Sequence, residues 1–396
     1  MKQIEIAERH GEWREQQAND TSTQERLKWQ KGEEPIQLYA VSYGSVLGTT
    51  LATMQPHRVS RFLLDGIVDA NQYYAGNLTS SSIDVDALME RFFEYCAAAG
   101  PDVCPMSVSN SSDATKQLLQ DIFTNLTDQG PISVAGGALT GPQVITLSDL
   151  KTILGSMIYV PLIGFPIFAE VVAPLSVRNG SALAEYFFAP LPALPANDTI
   201  DPYEPTTGPS YFDPSADRTL YAVIGSDSTT HLNKTAFKTA WDSLRKVTYW
   251  NADRFATLSL PFTVWPSTPK WRLSNTHSIG SNATANPILF VSNLIDPAAP
   301  LNSAKNMHAA FARSALLLND GEGHTTPASP SLCIVQAYRA YMQTGKTPQD
   351  LGPCLPYVRP FLGADGPRTA PFNTDGATKE NLALYQASLG INTSED

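Results

Sequence analysis

The sequence has no tract rich in lysine or arginine. Its 27 basic residues are outnumbered by 38 acidic ones, which gives a net charge of −11 at neutral pH. Nucleic acids and anionic membrane surfaces are bound through clustered positive charge, so this composition argues against both kinds of partner. The sequence also lacks a glycine-rich phosphate-binding loop and a good set of metal ligands. We therefore expect no nucleic-acid partner, no metal and no other cofactor.

Long apolar segments are scarce as well. The stretch of 18 uncharged residues at 152–169 approaches the lower limit for a membrane-spanning helix. It contains Pro161 and Pro166, and two prolines would break a lone helix in lipid. We expect a kinked, apolar lid helix over a substrate pocket at this position, and no membrane span.

Cysteine is rare. The chain has four cysteines, and no two of them have the C-x-x-C spacing of zinc or thioredoxin-like sites. They fall into two close pairs, Cys96 with Cys104 and Cys333 with Cys354, for which local disulfides are the better interpretation. Four buried free thiols in a cytosolic enzyme are the alternative, so the compartment has to be judged from other residues.

The asparagines indicate a secretory route. Of the 19 asparagines, nine begin an N-x-Ser/Thr sequon, where composition alone gives about three. The nine candidate glycosylation sites are Asn19, Asn77, Asn110, Asn125, Asn179, Asn197, Asn233, Asn282 and Asn392. The first ten residues are nevertheless charged and lack the apolar core of a signal peptide. We therefore expect a secreted, extracellular protein whose start is missing from this sequence.

The stretch Ile36–Gly48 has the pattern of a nucleophile elbow. An apolar run breaks at Ser42 and continues in a helix-like pattern. In such an elbow a strand ends at a tight, strained turn that holds a serine hydroxyl clear of the sheet, so both flanking positions must be small. Ala40 and Gly44 meet this need. Taken alone, the motif is about as compatible with an ordinary turn that happens to contain a serine.

Two further apolar runs end in residues that would complete a catalytic triad. Residues 287–296 predict a buried strand ending at Asp296, and residues 315–324 predict a second strand whose glycine-bearing loop presents His324. Serine, aspartate and histidine in this order at strand ends are typical of α/β-hydrolase triads. A serine hydroxyl needs an imidazole to take its proton and a carboxylate to orient that imidazole.

Each of these residues has a structural alternative when it is taken singly. Ser42 could be a turn residue, Asp296 a helix cap and His324 an ordinary loop residue. Asp65 competes with Asp296 because it also follows a predicted strand, and we interpret it as structural. The joint order, with each residue placed after an apolar run, favours the catalytic interpretation.

The pattern of elements predicts an α/β fold. We expect an α/β-hydrolase fold with a mostly parallel sheet, whose N-terminal strands are missing, and an inserted, mainly helical cap. From about residue 80, apolar residues recur at helical spacing without intervening strands. This gives a hydrolase core at 1–80, the cap at 81–260, and the rest of the core at 261–396, with the acid and base loops and a disulfide-closed C-terminal module.

With these pieces placed, the sequence resembles the tripeptidyl aminopeptidase-like branch of the proline iminopeptidase family of serine peptidases, especially its secreted fungal members. The resemblance spans most of the chain and is most specific in four segments, Ser42–Gly48, Gln55–Asp69, Asn286–Leu301 and Asp320–Thr325. It implies that Ser42 is the nucleophile, Asp296 the acid and His324 the base. One donor of the oxyanion hole is then the backbone N–H of Tyr43.

The sequence departs from this family in the elbow and ahead of it. Ala40 replaces the usual first glycine of the elbow, a change that a small side chain can accommodate. Such enzymes also carry a much longer segment before the elbow, which holds the first strands and a glycine-rich oxyanion turn. We therefore expect the elbow strand to lie at the edge of the sheet, with exposed backbone groups and apolar side chains.

Three functions are compatible with the sequence. The first is a secreted serine exopeptidase that releases tripeptides or N-terminal residues through an acyl-enzyme. The second is an esterase or pathway-specific hydrolase, since the triad does not distinguish esters from amides. The third is an inactive, truncated relative. The expected partner is a peptide or a small ester. The sequence does not fix the oligomeric state. It also does not identify the acid that would anchor a substrate amine, for which Glu90, Glu94 and Glu170 are candidates.

Overall fold

The computed structural model describes residues 2–17, 20–77, 79–136, 141–188, 222–228, 233–263, 270, 278–349 and 351–393. In chain order its strands are β1 (Ile36–Val41), β2 (Val59–Asp65), β3 (Ile132–Val134), β4 (Gln143–Ile145), β5 (Ile288–Ile295) and β6 (Ser314–Glu322). Four of them form one sheet in the order β1-β2-β5-β6, and every neighbouring pair is parallel. Because the strands run the same way, the residues that follow them meet at one edge of the sheet.

Helices pack on both faces of this sheet and form most of the segment between β2 and β5. In chain order they are α1 (Lys2–Gln16), α2 (Thr21–Arg26), α3 (Tyr43–Met54), α4 (Ala70–Tyr74), α5 (Val85–Ala99), α6 (Ser112–Asp128), α7 (Leu147–Met157), α8 (Pro161–Val172), α9 (Ser181–Phe188), α10 (222–227), α11 (Lys234–Val247), α12 (Ala252–Thr263), α13 (Leu301–Ala310), α14 (Leu332–Thr344) and α15 (Lys379–Thr393).

The two faces of the sheet are covered by different helices. Phe62 and Leu64 of β2 lie in an apolar cluster with residues of α3 and α13. Leu63, between them, points the other way and packs with residues of α14. Burial on both faces explains why the central strands contain continuous apolar runs, Phe62–Leu64 in β2 and Ile288–Val291 in β5, without the alternation of a half-exposed strand.

β1 is an edge strand. It pairs with β2, and the described residues place no strand along its other side. Ile36 is buried at its start, whereas Tyr39 and Val41 are 48% and 40% exposed. Within the described ranges, the strand that leads to Ser42 therefore has an open edge and exposed apolar side chains, as expected from the sequence.

The helices after β2 have an apolar core of their own. Phe92 of α5 lies at its centre, with the rings of Phe93, Phe165 and Phe168 at centroid distances of 5.5, 5.1 and 5.5 Å. Perpendicular ring contacts of this kind add to the stabilisation that burial provides. We propose that this separate core, within residues 81–260, is the cap.

Two details of this region differ from the sequence-based expectations. β3 and β4 form a small antiparallel hairpin where only helices were expected, because strands of three residues leave no periodic signal. Residues 152–169 do not form one kinked helix, since α7 ends at Met157 and α8 begins at Pro161. Pro161 suits the first position of α8, whereas Pro166 lies inside this helix, where it removes an amide donor. No helix in the described part of the chain is long and apolar enough to cross a membrane.

All four cysteines are paired. Cys96 is bonded to Cys104 and Cys333 to Cys354, with Cα–Cα distances of 5.3 and 5.6 Å. The second bond ties α14 to a segment beside β6, where the Cys354 amide donates to the Leu318 carbonyl at 2.9 Å. Both bonds are compatible with an extracellular location.

Six of the nine candidate glycosylation sites have described side chains. Asn77, Asn110, Asn179, Asn233 and Asn282 are exposed, and Asn125 is half-buried on α6. Asn19 and Asn197 lie outside the described residues, and only the backbone of Asn392 is described. Glycosylation is a surface modification, so these exposures are compatible with it, and the modification itself stays a prediction.

Candidate active site

Ser42 occupies a sharp turn between β1 and α3. Its backbone has φ 54° and ψ −123°, a conformation that side-chain-bearing residues rarely adopt and that is common at functional turns. Its amide donates to the Asp65 carbonyl at 2.9 Å, which fixes the turn to the end of β2.

The small residues around Ser42 allow this turn. A Cβ atom on Gly44 would lie 3.0 Å from the Cβ of Ala40, so only one of these two positions can carry a side chain without strain. The alanine at position 40 is therefore accommodated because position 44 remains glycine. A Cβ on Gly48 would meet Leu64 at 2.6 Å, which shows how closely α3 packs on the sheet.

Ser42, His324 and Asp296 form a continuous hydrogen-bonded chain. The Oγ of Ser42 lies 2.6 Å from Nε2 of His324. The other ring nitrogen, Nδ1, lies 2.9 Å from Oδ1 and 3.1 Å from Oδ2 of Asp296. These distances let the imidazole take a proton from the serine while the carboxylate holds its orientation.

The Asp296 carboxylate is buried but fully satisfied. Its Oδ1 accepts the amides of Ala298 and Ala299 at 2.9 and 2.8 Å, and Oδ2 accepts that of Thr325 at 3.0 Å. Together with the two contacts from Nδ1 of His324, these hydrogen bonds give both oxygens of the carboxylate partners. The helix-cap alternative is wrong for Asp296, because α13 begins at Leu301 with Pro300 as its N-cap residue and without a side-chain cap, and Ala298 and Ala299 lie in the turn before it.

His324 is held from two sides. Its amide donates to the Tyr159 carbonyl at 2.7 Å, and its ring meets the Tyr159 ring edge-on at 5.2 Å. On the other side, Nδ2 of Asn293 donates to the carbonyls of Gly323 and Thr325 at 2.8 and 2.6 Å. Burial disfavours the charged imidazole, but the Asp296 carboxylate outweighs it, and the pKa of His324 is raised.

Asp65, the competing acid, does not touch His324. Its carboxylate accepts hydrogen bonds from Thr326 and from the Tyr338 hydroxyl. Asp65 and Asp296 both follow strands, but the loop after β6 turns the imidazole toward Asp296. The structure thus brings Ser42, His324 and Asp296 together and leaves Asp65 outside the chain of hydrogen bonds.

The amide of Tyr43 lies in the first turn of α3, immediately after Ser42. Amides in the first turn of a helix have no partner within the helix, and the helix dipole favours negative charge there. The Tyr43 N–H is therefore suitably placed to meet charge that develops beside Ser42. We assign no second donor of this kind among the described residues.

An acidic side chain that the sequence did not reveal contacts Tyr43, the residue that follows Ser42. Oδ2 of Asp227, on α10, accepts the Tyr43 hydroxyl at 2.8 Å and the Tyr73 hydroxyl at 3.1 Å. Burial and the Asp227 carboxylate both raise the pKa of Tyr43, which keeps the phenol protonated as a donor. Asp227 is 184 residues from Tyr43 in the chain, so no local motif could have linked them.

The acids considered from the sequence lie elsewhere. Glu90 is paired with Lys116 and Glu94 with Arg91, both on the surface of the cap. Glu170 is exposed on α8. None of the three has a hydrogen bond to the triad among the described contacts.

The remaining histidines and acids form no metal site in the described part of the chain. His57 pairs with Glu33 on the surface, and Nδ1 of His308 shares a hydrogen bond with the Ser314 hydroxyl. His231 and His277 lie outside the described residues.

A comparison with known protein families gives a match to a segment that contains two of the three residues in the hydrogen-bonded chain. The family described as TAP-like protein, an α/β-hydrolase family, matches residues 250–354. This segment includes Asp296, His324 and the second disulfide, whereas Ser42 precedes it. No curated protein gives a significant match to the chain. The family match and the mostly parallel sheet with its helical insertion identify an α/β-hydrolase fold, as the sequence predicted.

Proposed function

We propose that this protein is a serine hydrolase of the secreted exopeptidase type, which releases tripeptides or N-terminal residues through an acyl-enzyme. Ser42 is the nucleophile, His324 the general base and Asp296 the acid that orients it. The observation that carries the proposal is the unbroken chain of hydrogen bonds from Ser42 Oγ through His324 to Asp296. The fold by itself would not be sufficient, because α/β-hydrolase folds carry many activities.

In the first step, Nε2 of His324 takes the proton from Ser42 as its Oγ attacks the carbonyl carbon of the substrate. Negative charge then develops on the carbonyl oxygen, where the N–H of Tyr43 is placed to stabilise it. The imidazolium passes its proton to the leaving amine or alcohol, the carbon–leaving-group bond breaks, and an ester to Ser42 remains. Asp296 stabilises the imidazolium throughout this step.

In the second step, a water molecule attacks the ester and loses a proton to Nε2 of His324. The proton then passes to Ser42 as the carbon–oxygen bond breaks, which frees the acid product and restores the enzyme. The raised pKa of His324 favours the imidazolium that both steps pass through. The chemistry needs no metal or cofactor.

The placement of Asp227 supports a peptidase that acts from the N-terminus. An exopeptidase must recognise the free α-amine of its substrate, and a carboxylate near the nucleophile offers the complementary charge. Asp227 is hydrogen-bonded to the residue that directly follows Ser42, and it is half-buried.

The proposal can be tested with a fluorophosphonate probe and a panel of substrates. The probe should label the wild-type protein at Ser42 and should not label Ser42→Ala. Aminoacyl and tripeptidyl anilides with free amines should be hydrolysed faster than their N-acetylated counterparts and than simple nitrophenyl esters. Labelling without any preference for free amines would favour the esterase, and absence of labelling in the folded protein would favour the inactive relative.

A further inference from the structure

Asp65 connects the two halves of the candidate active site. Its backbone carbonyl accepts the amide of Ser42, and its carboxylate accepts hydrogen bonds from the loop that follows His324. We propose that Asp65 is a positioning residue, which sets the distance and angle between Nε2 of His324 and Oγ of Ser42. The proposal rests on the function proposed above and adds a residue that neither the motifs nor the family match assigns.

The backbone part of this connection follows from the sheet. Val41 of β1 is in register with Asp65 of β2, and the Ser42 amide continues the pairing with a 2.9 Å hydrogen bond to the Asp65 carbonyl. The last residue pair of the two strands, Val41 and Asp65, therefore lies directly before the turn that carries Ser42. Any shift of the end of β2 would move Ser42 with it.

The carboxylate part holds the histidine loop. Thr326 donates from its amide at 3.0 Å and from its hydroxyl at 2.7 Å to Oδ2 of Asp65, and the Tyr338 hydroxyl donates at 2.9 Å. The hydroxyls of Thr326 and Tyr338 are also 2.9 Å apart, which closes a small network. Asp65 is fully buried, and a buried carboxylate is costly unless its oxygens are satisfied in this way.

The connection is short because the next residue is glycine. Gly66 has φ 62°, and a Cβ there would lie 2.6 Å from Cγ2 of Thr325 and 3.5 Å from Cε1 of His324. The end of β2 therefore touches the histidine loop directly.

Asp65 also acts on His324 through its charge. Burial lowers the pKa of His324, whereas the Asp296 carboxylate and then the Asp65 carboxylate raise it. The titratable groups that face Asp65 are Tyr39 from β1, Tyr338 from α14, Asp296 after β5 and His324 after β6. Burial raises the pKa of Asp65 itself to about 6, so Asp65 is charged at neutral pH and its charge acts on His324 there.

The test compares four variants that keep both triad partners of His324. Asp65→Asn, Thr326→Val and Tyr338→Phe each weaken the Asp65 network. Tyr341→Phe is the matched control, because this buried hydroxyl on the same helix as Tyr338 bonds the backbone of Phe62 on the same strand as Asp65. A purely structural role predicts that all four lose stability alike and that none changes the chemistry.

We expect kcat, and the rate constant for fluorophosphonate labelling, to fall by about 10- to 100-fold in Asp65→Asn and Thr326→Val. KM should change by less than about threefold, since substrate binding does not involve Asp65. Tyr338→Phe should show a smaller loss in the same direction, and Tyr341→Phe none beyond its loss of stability. Equal kcat values for the three network variants and the control would overturn the proposal.

A second measurement does not depend on turnover. The pKa of His324, followed by NMR of its ring protons, should fall by about 0.5–1 pH unit in Asp65→Asn and stay unchanged in Tyr341→Phe. An unchanged His324 pKa in a folded Asp65→Asn would overturn the proposal even if the wild type had no activity. If Asp65→Asn does not fold, the same titration is carried out on Thr326→Val and Tyr338→Phe. The proposal then predicts a changed His324 pKa in both variants, because the loop that carries His324 is displaced. Failure of the proposed function is recognised separately, by the absence of probe labelling in the wild type.

Discussion

The carbonyl of Tyr159, in the turn between α7 and α8, accepts a 2.7 Å hydrogen bond from the amide of His324. The turn lies within the proposed cap, whereas the histidine lies in the loop after β6, so the proposed cap contacts the proposed general base directly. The close approach is possible because position 323 is glycine: a Cβ there would lie 2.4 Å from Cδ of Pro161, at the start of α8. The apolar segment that the sequence suggested as a lid therefore also fixes the backbone of His324, the proposed general base.

Separating the cap turn from the histidine loop should cost activity. We expect Gly323→Ala to push Pro161 away and to lower kcat/KM by roughly 100-fold, because a small displacement of a catalytic group has an effect of this size. Gly376→Ala is the matched control, since this glycine also has a positive φ but open space around its Cβ position. The control should lose only about 1–2 kcal/mol of stability from backbone strain. Equal activity of the two variants would contradict the role of the cap turn.

Removal of any triad residue should nearly abolish turnover. We expect Ser42→Ala and His324→Ala to lower kcat by about 10⁶-fold and Asp296→Asn by about 10⁴-fold, as in other triads. The double variant Ser42→Ala with His324→Ala should be no worse than either single one, because the residues act as a unit. Kinetics on the best anilide substrate of the panel measure this. Appreciable turnover in Ser42→Ala would exclude nucleophilic catalysis at this serine.

Asp227 should be required only for substrates with a free α-amine. We expect Asp227→Asn to raise KM for aminoacyl or peptidyl anilides by roughly 10- to 100-fold, which corresponds to the loss of one hydrogen bond between charged groups. Hydrolysis of N-acetylated anilides and of esters should change little. Glu90→Gln, which removes an exposed acid of the cap, is the control and should leave both substrate classes unaffected. A uniform loss across all substrates would mean that Asp227 only holds Tyr43 in place.

The stability of the protein should depend on pH through Asp84, whose carboxylate accepts the Asp296 amide at 3.3 Å. Burial and the charge of Asp296 raise the pKa of Asp84 to about 6 from 3.8. A group whose pKa is raised by folding stabilises the protein below its unfolded pKa, and this contribution is lost as the pH rises through the folded value. Between about pH 4 and 6, Asp84 should therefore lower the free energy of unfolding by roughly 1–2 kcal/mol, after allowance for solvent.

Asp84→Asn should remove this part of the pH dependence while keeping an acceptor for the Asp296 amide. Urea denaturation of both proteins at pH 4 and pH 6.5 measures it. The difference in stability between wild type and variant should change with pH in the direction stated. A constant difference would show that Asp84 keeps an ordinary pKa in the folded protein.

The short disulfide should contribute measurably to the stability of the cap. Its sequence separation is eight residues, and closing a loop of this length constrains the unfolded chain by roughly 2–3 kcal/mol. We expect the double variant Cys96→Ser and Cys104→Ser to lose about this much in denaturant unfolding. Peptide mapping without reduction checks the pairing in the expressed protein. Free thiols at these positions would contradict both the bond and the secreted location.

The sequence by itself determined the features that depend on neighbouring residues. The turn at Ser42 requires small side chains within two residues on either side, so Ala40 and Gly44 are enough to predict the elbow. Burial on both faces makes β2 and β5 apolar runs, and the cysteines of each pair are close in the chain. The order of Ser42, Asp296 and His324 then followed, because parallel strands bring their carboxyl ends to one edge.

Only the tertiary structure decided between residues that look alike in the sequence. Asp65 and Asp296 both end a strand, and the path of the loop around His324, fixed by Asn293 and by the Tyr159 carbonyl, makes Asp296 its partner. Asp227 reaches Tyr43 from a distant part of the chain, and the turn between α7 and α8 approaches Gly323 across the cap boundary. Local sterics and periodicity extend over a few residues, whereas such contacts depend on how whole elements pack, which no short pattern encodes.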